Sequence, residues 1–179
     1  MGIEPDTADW TWVLERACPE CGLDVATLQR AEVGDEVRRL TGQWVAVLER
    51  PDVAVRTRPD RWSPLEYGCH VRDVFEVYDR RLARMLAEDG PHYENWDQDA
   101  TAIAERYSEQ DPSTVAAALS EAGGRLARRF DTVSGDDWDR TGFRGDGASF
   151  TIDSFTRYLL HDPIHHVWDV QQGDAGMPV

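Results

Sequence analysis

Apolar side chains recur every three and four residues through four long stretches of this sequence, and that period restricts the chain to packed helices. Residues 24–49 carry Val25, Leu28, Val33, Val37, Leu40, Trp44, Val47 and Leu48 in that spacing. Residues 64–88 carry Leu65, His70, Val71, Val74, Val77, Tyr78, Leu82, Met85 and Leu86. Val115, Leu119, Ala122, Leu126 and Phe130 mark a third stripe over 112–131, and Ile152, Phe155, Leu159 and Ile164 a fourth. The boundaries are signalled as well. Ser63-Pro64-Leu-Glu66 is a capping box with proline at the first helical position. Pro51 and Gly90-Pro91 close helices, Asp111-Pro112-Ser113 opens one, and Thr151 is the expected cap of the last. A short helix is expected over 99–109, with connecting loops at 92–98 and 134–147. No stretch alternates convincingly enough for a strand. The expectation is an all-α four-helix bundle with at least one long crossover connection.

A chain of 179 residues fits one domain. Its expected parts are an N-terminal arm at 1–23, the bundle at 24–172 and a tail at 173–179. The net charge of −15 repels phosphate backbones, and no basic patch offsets it, so nucleic acid is not an expected partner. All nineteen Lys or Arg positions are arginine, which removes Schiff-base chemistry on a lysine amine. No run of eighteen apolar residues exists to cross a bilayer, so no membrane partner is expected. The start, Met-Gly-Ile-Glu-Pro-Asp, lacks the basic region and apolar stretch of a secretory signal, so a cytoplasmic location is the expectation.

The chemistry concentrates in Arg157-Tyr-Leu-Leu-His161-Asp-Pro-Ile-His165-His166, which holds three of the five histidines. His161 and His165 are four apart, so a helix sets them on one face, where two imidazoles can share an ion. An isolated pair of this kind is also compatible with ordinary polar residues on a helix surface. His166 falls about 100° further round and is not expected to join them. Pro163 deletes one helical hydrogen bond between them. A catalytic ion usually takes three protein ligands and keeps an open position. His70 on the second helix is the candidate third, because bundles build such sites from facing helices. His92 follows Gly-Pro in a loop and is expected to be exposed. Three imidazoles suit zinc, nickel, copper or ferrous iron. Glu66, Asp73, Asp162 and Asp169 are within reach to orient the rings. Arg72 and Arg157 are candidates to steer an acidic substrate.

Cys18-Pro-Glu-Cys21-Gly22 resembles half of a zinc ribbon, but no second Cys-x-x-Cys exists and Cys69 is the one other thiol. Turn residues or a disulfide-capable pair are therefore the preferred reading. The tryptophans just before it are positioned to pin the arm to the body.

Trp62-Ser-Pro-Leu-Glu66-Tyr-Gly-Cys-His70, followed by His161-Asp-Pro-Ile-His165-His166, resembles the DinB-like superfamily over about residues 31–172. The resemblance implies a four-helix bundle with three metal-ligating histidines, carried over here onto His70, His161 and His165. The superfamily includes mycothiol-dependent maleylpyruvate isomerase and bacillithiol S-transferases, in which the metal activates a low-molecular-weight thiol. The expected function is therefore a thiol S-transferase or isomerase acting on a small electrophile through a divalent ion, zinc foremost, with nickel or iron as alternatives. A metal-dependent hydrolase on the same residues, with Glu66 or Asp162 as base, and a non-catalytic metal- or ligand-binding bundle are the other readings. By analogy with the superfamily, pairing into a homodimer is a further expectation.

Overall fold

The computed structural model describes residues 9–175, so the ends of the expected arm and tail, 1–8 and 176–179, lie outside the described residues. Five α-helices form among the described residues: α1 (Val33–Leu48), α2 (Pro64–Ala87), α3 (Gln98–Ala104), α4 (Pro112–Phe130) and α5 (Ile152–Ala175). The four long ones make the bundle. α4 packs most extensively on α1 and α2, while α5 lies against α2 and α1. Around the bundle the order is α1, α4, α2, α5, so the α1–α2 and α4–α5 connections both cross it. Trp44, Phe75, Leu82, Leu119, Leu126 and Leu159 fill the centre, each almost wholly removed from water. Burying a side chain of this size contributes about 1.5–3 kcal/mol. Close approach of α4 to α1 requires a glycine: a Cβ at Gly123 would overlap the side chain of Thr41.

The second helix follows its sequence signals. Ser63 Oγ accepts from the Glu66 N–H, and the Glu66 carboxylate accepts from the Ser63 N–H at 2.8 Å. The first helix does not follow its own. It starts at Val33, not near residue 24, because Asp24 caps a single turn, Val25–Thr27, through the Ala26 N–H, after which Leu28 and Gln29 are extended. The short helix also breaks early, at Arg106, whose φ is +52°.

The expected loops hold a small sheet. β1 (His92–Tyr93) pairs in parallel with β2 (Thr141–Arg144), and β2 pairs antiparallel with β3 (Ser149–Thr151). Strands of two to four residues are too short to print a period of two. β3 runs directly into α5, where Thr151 Oγ1 accepts from the Ser154 N–H as a cap. α5 continues through Pro163. The ring removes the N–H that would bond the Leu159 carbonyl. The Pro163 carbonyl in turn accepts from Trp44 Nε1 at 3.2 Å, tying this point to α1. Among the described residues, no helix is long and apolar enough to cross a membrane.

Candidate metal centre

Three histidines and an aspartate on α5 fall into two interleaved pairs: 161 with 165, and 162 with 166. Each pair is one turn apart, and the second is rotated about 100° from the first. His70, His161 and His165 do not meet at one point. His70 gathers with Asp162 and His166, and their donor atoms all lie within 4.8 Å of one another. His161 and His165 gather instead with Cys18 and Cys21, within the same limit. The three-imidazole set expected from sequence is therefore split. The cause is rotational: α5 turns its 162/166 face to α2 and its 161/165 face to the arm.

His70 is fully buried on α2, stacked on Trp96 with ring centroids 5.5 Å apart and flanked by Trp62 at 5.3 Å. Its Nε2 lies 3.2 and 3.3 Å from the two oxygens of Asp162. His166 Nδ1 donates to Asp169 at 2.9 Å, which leaves Nε2 to face Asp162 at 3.8 Å. Asp169 also accepts from Arg61 at 2.9 Å, so the carboxylate that orients His166 is itself fixed. Burial would raise the Asp162 carboxyl, but the charges of His70 and His166 outweigh it and hold it near 2. Asp162 is an anion at neutral pH, and its Oδ1 is buried without an aligned hydrogen-bond donor.

On the other face, Cys18 Sγ lies 3.6 Å from His165 Nδ1, and Cys21 Sγ lies 3.8 Å from His161 Nε2. Burial pushes His161 down to about 4, and His165 is lowered for the same reason, so both rings are neutral at pH 7. Trp10 lies against both, with centroids 5.7 and 5.4 Å away. The arm is thus pinned by its aromatics as the sequence suggested. Its cysteines are free thiols and do not sit in an isolated turn.

Between the two groups opens a cleft of about 350 Å³. Its walls include Trp10, Trp62, Tyr67 and Tyr158, and its polar lining includes Glu20, Asp60, Asp99 and Asp169. Other expected participants are committed elsewhere. Glu66 is paired with Arg56 and its own cap, and Asp73 with Arg72 and Tyr107. Arg72 is held by Asp73 and Gln110, and Arg157 by Asp153 and the Val25 carbonyl. His92 is exposed and stacks on Phe143.

The family model for the DinB superfamily matches residues 33–170. The chain belongs to the DinB superfamily. Among solved structures it is similar to YfiT from Bacillus subtilis, described as "a probable metal-dependent hydrolase with an unusual four-helix bundle topology". That likeness has a TM-score of 0.65 at 22% identity, over 82% of this chain and 86% of the other. It shows the shared bundle. No curated protein matches the sequence significantly. The DinB match begins at the first residue of α1, so it includes His70 and the α5 histidines and leaves Cys18 and Cys21 outside.

Proposed function

We propose that this DinB-superfamily member is a metal-dependent hydrolase whose divalent ion is held by His70, Asp162 and His166. The observation that carries this reading is the convergence of two imidazole nitrogens and an anionic carboxylate at one side of an open cleft. The donors fit an ion better than they fit each other. Charge-assisted N–H···O bonds run to about 2.7–2.9 Å, whereas His70 and Asp162 stand 3.2–3.3 Å apart. Ligands at bond lengths of about 2.0–2.2 Å around a tetrahedral centre are separated by roughly 3.4 Å. Asp162 Oδ1, buried without an aligned donor, gains a partner in the same step. Two imidazoles and a carboxylate are a donor set of zinc hydrolases and of non-haem iron sites, and both keep positions open.

A divalent ion in such a site lowers the pKa of bound water toward neutrality. The chain supplies the rest. Asp169 accepts from His166 Nδ1, which turns Nε2 toward the ion, and Arg61 fixes Asp169. Asp60 and Asp99 line the cleft, and Arg58 holds the Asp60 carboxylate at 2.7 Å; Asp99 is the lining carboxylate to test as proton acceptor. Carboxylates outnumber the one lining arginine, Arg61, which disfavours anions and makes neutral or cationic esters and amides the first substrates to assay. The aromatic walls favour a second reading, in which the open position takes a neutral low-molecular-weight thiol for transfer to an electrophile. Assays of zinc-, manganese- and iron(II)-supplemented protein decide between them. Ester or amide turnover lost in His166→Ala supports hydrolysis. Turnover only in thiol conjugation selects the second reading. A wild type that holds no ion dependent on His70 or His166 overturns both.

A further inference from the structure

Cys18, Cys21, His161 and His165 belong to none of the chemistry above. All four face one point from two elements 140 or more residues apart in sequence, and Cys18, His161 and His165 are at most 6% exposed. We infer that they form a closed tetrahedral zinc site that clamps the N-terminal arm onto α5 and thereby builds one wall of the cleft.

The distances carry this. With Zn–S near 2.3 Å and Zn–N near 2.05 Å, a tetrahedral S···N edge is about 3.6 Å. Two of the four S···N separations are 3.6 and 3.8 Å, and all the donor atoms lie within 4.8 Å of one another. The local backbone is that of a metal-gripping turn: the Gly22 N–H donates to the Cys18 carbonyl at 2.9 Å, and the Cys18 N–H to the Leu23 carbonyl at 2.9 Å. The turn closes at Gly22 with φ +76°, a conformation that costs a glycine little. His165 uses Nδ1 toward the sulfurs, and its Nε2 lies 3.3 Å from Glu20, the carboxylate partner that metal-bound imidazoles commonly have. Binding releases one proton from each thiol. Two thiolates, two neutral imidazoles and a divalent ion sum to zero charge, which suits a buried position. Four protein ligands leave no open position, so the site is structural where the His70 group is not.

The clamp has a consequence for the cleft. Trp10 and Glu20 line it, and both belong to the arm. Releasing the arm removes that wall.

The test is metal analysis of the full-length protein purified under reducing conditions. The wild type is expected to hold one zinc that survives dialysis against a mild chelator and leaves on titration with a thiol-blocking mercurial. Replacing it with cobalt(II) should give a sulfur-to-cobalt charge-transfer band and the intense visible bands of a tetrahedral ion. Cys18→Ser should lose that band and one equivalent of metal, while His166→Ala keeps both. These readouts are separate from turnover, so hydrolase activity can fail with the clamp intact. A wild type without mercurial-releasable zinc, a cobalt spectrum lacking the sulfur band, or a Cys18–Cys21 disulfide in the purified protein overturns the inference. The cobalt and mercurial measurements use only the wild type, so poor folding of a variant does not blunt the test.

Discussion

The two groups on α5 share a helix, a spacing and a residue type, yet they suit opposite tasks. The 161/165 pair meets two thiols from outside the bundle, and the resulting set of four is complete. The 162/166 pair meets one imidazole from inside the bundle, and the set of three is not. Sulfur and closure favour holding, whereas nitrogen, oxygen and an open position favour reaction. A shift of one residue along a helix decides which partners a side chain meets.

That contrast can be broken most directly at His166. His166→Ala should abolish ion binding at the open group and turnover with it, while the arm stays docked; metal stoichiometry and protection of the arm from limited proteolysis report both. If the arm detaches instead, the two groups are not separate. Cys21→Ser should do the reverse, losing one zinc and several degrees of Tm while the open group still binds its ion. Retention of helical circular dichroism would show that the bundle stands without the clamp. Asp169→Asn sharpens the reading of the open group, since Asp169 bonds His166 at 2.9 Å and stands 3.8 Å from His165 Nε2. It weakens the bond that holds His166, and a loss of about 10–100-fold in metal affinity or activity is expected. A comparable loss of the mercurial-releasable zinc would contradict it.

Acid separates the faces more gently. Burial holds His161 near 4, below its ordinary 6.5, so unfolding takes up a proton between those values. Metal-free protein should therefore lose stability as pH falls from 6.5 to about 4, read as a declining Tm. A flat profile would mean that the ring is solvated and the arm undocked. Glu20→Gln is the smallest perturbation. It should speed zinc loss from the clamp and leave the open group unchanged, measured by competition with a chromogenic chelator.

Much of the bundle was legible because its signals are local. Ser63, Pro64 and Glu66 write a helix start within four residues, and the apolar stripe of α2 needs no knowledge of its neighbours. The late start of α1 was not legible, since Val25 and Leu28 keep the helical spacing while Asp24 caps only one turn. The sheet escaped because His92–Tyr93 gains its meaning from Phe143 and Arg144, some fifty residues away. At the site, the histidines were visible and their grouping was not. His-x-x-x-His at 161 and 165 masks an equal spacing between Asp162 and His166, and the choice depends on how α5 is rolled. Cys18 and Cys21 lacked partners in sequence because those partners are histidines far along the chain. An Asp-x-x-x-His beside a His-x-x-x-His, with a Cys-x-x-Cys left over, was the available clue.

The indole of Trp44 reaching the Pro163 carbonyl has a mechanical meaning. Side-chain tips lie about 5–6 Å from a helix axis, so a roll of only 20° carries them about 2 Å. Coordination distances tolerate about 0.2 Å. A peg from α1, set at the turn where proline has loosened the ladder, therefore adds to the packing on α2 that fixes the angle of α5 on which both constellations depend.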